Sequence, residues 1–158
     1  MGEPLMNFLP RDNMPTLLFA GQTPMVRGDR NIGELIYAPA GQTRYAWFPR
    51  MWPRALNGTG LGLVLKCWCD AAGDVGVGLA IERHQHGVTD LTALTNFQPE
   101  VAATLLSPVG GFQRSVTWSL THAQTGSVAV AETFRARLRI TANAGAVLFM
   151  GLQLSNGT

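Results

Sequence analysis

The chain is short of charge, of lysine and of cysteine, and each shortage argues against a class of protein. Charged residues make up 14% of the 158 positions, against about 25% in an average soluble domain. Much of the surface is therefore neutral, as the cores of protein interfaces are. Lys66 is the one lysine; the other basic residues are arginines. A net charge of +2 provides too weak a field to hold a nucleic acid, whose binding depends on many paired phosphates. Cys67 and Cys69 are too few for a disulfide framework and fit synthesis in a reducing cytoplasm. No run approaches the roughly 20 apolar residues that span a bilayer, so no membrane partner is expected. Met1 to Met6 lacks the basic start and apolar run of a leader peptide. Long segments of 3.6-residue periodicity are missing too, which argues against a doubly wound α/β fold.

What the sequence does contain is period-two alternation. Leu61, Leu63, Leu65, Cys67 and Cys69 share one face of a strand, with Lys66, Trp68 and Asp70 on the other. Asp70 to Asp74 reads as a turn. Val75, Val77, Leu79 and Ile81 then give a second inward face, so the two runs read as an antiparallel hairpin. Further strands are expected at 43–48, 101–106, 115–121, 134–140 and 146–154. In the last of these, Leu148, Met150, Leu152 and Leu154 would share the inner face. Asp90 is placed to cap a short helical turn. The count of six to eight strands, punctuated by Gly, Pro and Asn, predicts an all-β, antiparallel β-sandwich that is jelly-roll-like.

Residues 1–40 differ from the rest. Pro4, Pro10, Pro15, Pro24 and Pro39 interrupt any regular ladder. They read as an extended N-terminal arm with short strands only at Leu17–Phe19 and Leu35–Tyr37, laid on their own domain or on a neighbouring subunit. The sandwich domain is then 41–158.

Candidate chemistry is sparse. Cys67-x-Cys69 and His84-x-His86 each project two ligands from one strand face, as a zinc site needs. In the hairpin register, however, the two pairs sit at opposite ends of the strands. The cysteines are then small core residues, and no metal is expected. Glu82 is the one acid in mid-strand, and it has no facing carboxylate for glycoside cleavage. There is no Gly-x-Ser-x-Gly elbow and no Gly-rich loop leading into a helix. Neither enzymatic activity nor a cofactor is expected.

Two surface features remain. Arg135, Arg137 and Arg139 project from one strand face. The row reads either as a docking strip for an acidic protein or as a face neutralised by Glu82 or Glu132. Tyr45, Trp47, Phe48, Met51 and Trp52 form an aromatic-rich cluster. Exposed, it would suit a sugar platform or a subunit contact; buried, it would be a lid on the sandwich. Trp47 and Trp118 are expected in the core. Trp52 and Trp68 are expected as interface anchors, since Trp and Arg are typical of such positions. Leu17 and Phe19 join them as contact residues of the arm.

Phe48-Pro49-Arg50-Met51-Trp52-Pro53, the runs 60–69 and 73–83, Thr117-Trp118-Ser119-Leu120-Thr121 and Phe134-Arg135-Ala136-Arg137-Leu138-Arg139-Ile140 follow in an order that resembles small β-sandwich virion proteins of tailed bacteriophages. These are capsid decoration (cement) proteins and the capsid-proximal domains of head fibres. The resemblance covers residues 43–154. It implies a structural protein on the capsid exterior, made in the host cytoplasm, that binds the major capsid protein and neighbouring copies as a homotrimer. The alternative is a carbohydrate- or receptor-binding sandwich module of a tail or fibre, with the 45–52 cluster as its platform.

Overall fold

Alternating apolar residues form strands here because each strand buries one face against a second sheet, and the loops between them carry the residues that break ladders. The computed structural model describes residues 4–9, 25–30, 33–52, 54–56, 58–89, 96–105, 113–141 and 145–156. Within these lie ten strands: β1 (Pro4–Phe8), β2 (Val26–Arg30), β3 (Gly33–Ala38), β4 (Arg44–Met51), β5 (Leu61–Cys69), β6 (Val75–His84), β7 (Val101–Leu105), β8 (Gln113–Leu120), β9 (Thr133–Ile140) and β10 (Val147–Asn156). Short 3-10 turns stand at Arg54–Leu56 and Ala123–Thr125. The strands form two antiparallel sheets. The first runs β2-β3-β10-β5-β8, with β1 also on β10; the second runs β4-β9-β6-β7. The fold is the antiparallel β-sandwich that the alternation predicts.

The expected hairpin of 61–81 does not form. β5 pairs with β8 and β10, whereas β6 pairs with β7 and β9. The 70–74 connection is an arch from one sheet to the other, and the two apolar faces meet across the core instead of lying side by side. Alternation alone cannot separate the two arrangements, because five residues are long enough either to turn a hairpin or to cross the roughly 10 Å between sheets.

The inner face of β10 also departs from simple alternation. Its register against β5 shifts between Phe149 and Gly151, a bulge that leaves Met150 as the extra residue. Val147 lies opposite Cys69 before the bulge, and Leu152 and Leu154 lie opposite Leu65 and Leu63 after it. Val147, Leu152 and Leu154 join the core cluster. Leu148, opposite Trp68, is on the other face of the sheet.

The described parts of 1–40 are strands: β3 contains the expected Leu35–Tyr37, whereas β1 and β2 were not expected. β1 pairs with the second half of β10, and β3 pairs with its first half. Phe8 enters the core fully buried, 5.1 Å from Phe48 and 6.3 Å from Phe134 between ring centroids. Leu17 and Phe19 lie outside the described residues, as do the 106 end of the expected 101–106 strand and the turn expected at Asp90.

Trp52 is a core residue, which corrects its expected place at an interface. It is 1% exposed, its indole Nε1 donates to the Leu56 carbonyl at 3.1 Å, and its ring meets Phe134 edge-on at 5.1 Å. The ring has no surface to offer a partner. Trp52→Ala leaves a cavity and frees a buried carbonyl, so it should cost about 3–5 kcal/mol; urea unfolding followed by tryptophan fluorescence measures this. A loss under about 1 kcal/mol would place the ring outside the core.

Candidate functional site

The outer face of the second sheet collects the charged and aromatic residues that alternation turns away from the core. Cross-strand register sets Pro49, Arg135 and Glu82 in one row, Trp47, Arg137 and Ala80 in the next, and Tyr45, Arg139 and Gly78 in a third. Beyond Glu82, His84 lies opposite Thr133 at the strand ends.

Glu82 is completely buried. Its Oε2 accepts from Arg135 Nε at 2.8 Å and lies 2.9 Å from His84 Nε2. Nε2 must donate to a carboxylate, which leaves His84 Nδ1 to face the Thr133 hydroxyl at 3.2 Å. Arg139 holds Glu100 through Nε at 2.8 Å and a second nitrogen at 2.6 Å. Position 78 has to be glycine for this pair: a Cβ there would collide with the Glu100 carboxylate. The hydrogen bond to Glu100 raises the Arg139 pKa above its ordinary value.

Arg137 is placed differently. Its guanidinium stands over Phe97 at 4.6 Å and over Tyr45 at 5.8 Å. Its nearest carboxylate contact among the described residues is Glu100, at 4.0 Å. Its buried Nε has no hydrogen-bond partner among the described residues. Burial pushes the Arg137 pKa down, with Glu100 and Tyr45 opposing the shift. The row is thus largely neutralised from within, through Glu82 and Glu100. Sequence reasoning named Glu82 but missed Glu100 and Phe97, which approach from the segment before β7.

The 45–52 cluster does not form one platform. β4 turns Tyr45 and Trp47 outward and Phe48 inward, and Trp52 follows Phe48 into the core. Tyr45 and Trp47 stack at 6.1 Å with 22° between their planes. Trp47 is fully buried, but on the outer side of its sheet and not in the core cluster. Trp118 packs against the core, half-buried. Trp68 is placed by its backbone opposite Gln113 and Leu148.

At the end of this face is a cleft of about 460 Å³, lined by His84, Gln85, His86, Gly87, Thr89, Ala131, Glu132 and Thr133. Both walls are held in place. The 85–89 turn is closed by Thr89, whose hydroxyl accepts from the Gln85 N–H at 2.8 Å and donates to the Arg83 carbonyl at 3.1 Å. Opposite, Arg83 grips Glu132 with two bonds of 2.7 and 2.8 Å, and the Ala129 N–H donates to the same carboxylate at 2.7 Å. Those bonds hold the Glu132 carboxyl below the usual carboxylate range, the Arg83 bond first. Ala131 sits at φ 66°, the left-handed region that costs a non-glycine residue about 1–2 kcal/mol, and its N–H is tied to the Trp52 carbonyl. The cleft is therefore a concavity of mixed polar and apolar lining whose walls are tied by hydrogen bonds, the kind of surface that receives a ligand at little ordering cost.

The cysteine–histidine set does not converge. Cys67 and Cys69 are buried in β5 of the first sheet, and His84 ends β6 of the second. The cysteines point into the core, whereas His84 points out of the second sheet beside Glu82, so the hairpin register is not what separates them. Burial pushes the Cys67 thiol up to about 12, with Cys69 adding to the shift. Among the described residues no group of three or more His, Cys, Asp or Glu is arranged to hold a metal.

Two expectations test this geometry. Ala131→Gly relieves the left-handed strain but frees the unfolded chain by about 0.4–1 kcal/mol, so a net gain of about 0.5–1 kcal/mol is expected in urea unfolding. Glu132 stabilises the fold above the pH where an unfolded Glu titrates, about 4.3, and that contribution is lost as pH falls through its lower folded value. In thermal melts, Glu132→Gln should therefore lie below the parent near neutral pH, with the gap closing below about pH 4.

No protein-family model and no curated protein sequence matches the chain. Solved structures do match in fold. The CBM36-1 domain of a multidomain xylanase from the hindgut metagenome of Trinervitermes trinervoides aligns at a TM-score of 0.57 and 10% identity, over 97% of this chain and 98% of that one. A carbohydrate-binding module CBM36, solved in complex with calcium and xylotriose, aligns at 0.56 and 10% identity, over 96% and 100%. The xylan-binding module CBM15 aligns at 0.57 and 10% identity, over 88% of each chain. The calcium of the second has no counterpart donor set in this cleft, whose one carboxylate among the described lining residues, Glu132, is engaged by Arg83. A hard cation needs six or more oxygen ligands. None of these three is a virion protein, and they support no more of the expected resemblance than the sandwich fold itself. What they establish is that this chain has the jelly-roll-like β-sandwich fold also seen in carbohydrate-binding modules.

Proposed function

We propose that this chain is a carbohydrate-binding module that takes a polysaccharide segment in the cleft between the 85–89 turn and the start of β9. The observation that carries the reading is the cleft with its hydrogen-bonded walls, set on a fold that other proteins use to hold xylotriose and xylan. A sugar is a dense array of hydroxyls, each both donor and acceptor. Gln85, His86, Thr89 and Thr133 supply matching groups. The half-buried Tyr45 ring lies further along the same face, within reach of a longer chain. Binding without catalysis is the proposal: Glu132 is held ionised by Arg83, so it is a poor general acid, and hydrolysis calls for a second carboxylate across the bond.

Gln85 and His86 are exposed turn residues that can be truncated without opening the core. Each lost hydrogen bond is worth about 0.5–1.5 kcal/mol, so a Gln85→Ala/His86→Ala double variant should bind about tenfold more weakly. Affinity electrophoresis on gels cast with xylan, β-glucan or galactan, followed by calorimetry with the best oligosaccharide, provides the measurement. Unretarded migration of the parent protein on every such gel would sink the reading.

A further inference from the structure

Among the described residues, the outer face of the second sheet pairs the guanidiniums of Arg135, Arg137 and Arg139 with the carboxylates of Glu82 and Glu100. Arg135 is matched by Glu82 and Arg139 by Glu100. Arg137 shares Glu100 only at 4.0 Å. Its side chain is 15% exposed, so it is recessed but can be reached. The guanidinium also stands over the rings of Phe97 and Tyr45, at 4.6 and 5.8 Å from their centroids. A buried charge without a full partner is costly, and the cost falls when an anion arrives. Arg137 lies four residues along β9 from Thr133, which lines the cleft. At about 3.3 Å per residue that is roughly 13 Å, a span that a short oligosaccharide could bridge.

We infer that the ligand is an acidic glycan, with a uronic-acid carboxylate on Arg137 while neighbouring sugars occupy the cleft. This deepens the glycan-binding proposal and rests on it. A carboxylate fits because the guanidinium is a planar fork that bonds two oxygens of one acid. Recessed access favours an acid carried on a narrow sugar ring over the broad surface of an acidic protein.

The test uses the full chain and one sugar in two charge states. Calorimetry compares a galacturonic-acid oligosaccharide with its methyl ester, which keeps the rings and removes the charge. The free acid is expected to bind at least about tenfold more tightly, and that preference should shrink as salt is raised. Arg137→Gln should reduce it to about threefold or less, and Arg137→Lys should restore part of it. Equal affinity of the parent protein for acid and ester overturns the inference while leaving glycan binding intact. So does an acid preference that Arg137→Gln, shown to be folded by its thermal melt, leaves unchanged. The ester comparison needs no variant, so misfolding of Arg137→Gln does not block the test. If neither sugar form nor any neutral polysaccharide binds, both this inference and the glycan reading fall.

Discussion

The constraint that organises the functional side of this molecule is the burial of Glu82. A carboxylate with no exposed surface must be partnered or give up its charge. Arg135 and His84 partner its Oε2, and in doing so their positions are fixed, while Oε1 has no hydrogen-bond partner among the described residues. His84 then forms the wall between the ion-pair face and the cleft, while Arg135 is drawn toward Phe97. With Arg135 taken by Glu82 and Arg139 by Glu100, Arg137 is left with the weakest carboxylate partner of the three. Glu82 and Glu100 together thus separate a row that looks uniform in sequence into two cations with close carboxylates and one whose nearest carboxylate among the described residues is 4.0 Å away.

The cleft depends on this arrangement from the other side. Glu132 is held by Arg83, the neighbour of Glu82 on β6, and Ala131 is held in an uncommon conformation by the backbone of Trp52. Core packing around Trp52 and Phe134 is therefore coupled to the shape of the cleft floor. Surfaces built on strand ends and short closed turns lose little entropy when a ligand arrives.

The two-sheet architecture was legible in the alternation of 61–69, 75–81 and 134–140, because period two reports directly which residues face a core. Which strands pair was not legible. The 70–74 segment has the composition of a hairpin turn yet serves as an arch, and within Pro-rich 1–40 the strand at 35–37 was legible but β1 and its pairing with β10 were not. The bulge at Met150 was hidden as well, since an extra residue in a strand leaves no mark when its neighbours are all apolar. Of the site, the arginine row and Glu82 were visible, and so was their mutual neutralisation as one of two readings. The partnership with Glu100 and Phe97 was not, because both come from a segment 38 to 40 positions away with no periodicity of its own. Trp52 misled for a different reason: flanking prolines suggest an exposed segment, whereas here the chain turns inward after β4.

The sharing of β10 between β1 and β3 also has a consequence for biosynthesis. Residues 4–8 find their hydrogen-bonding partners at residues 152–155, so the first sheet cannot close on the ribosome until β10 has left the exit tunnel. Until then β1 and β3 have no β10 strand to pair with, and Phe8 lacks the closed sheet that shields it. Sheets assembled from such distant pairings fold slowly, because loop closure comes before the contacts that reward it. For this chain, the interval between synthesis and closure of the first sheet is when chaperones would matter most.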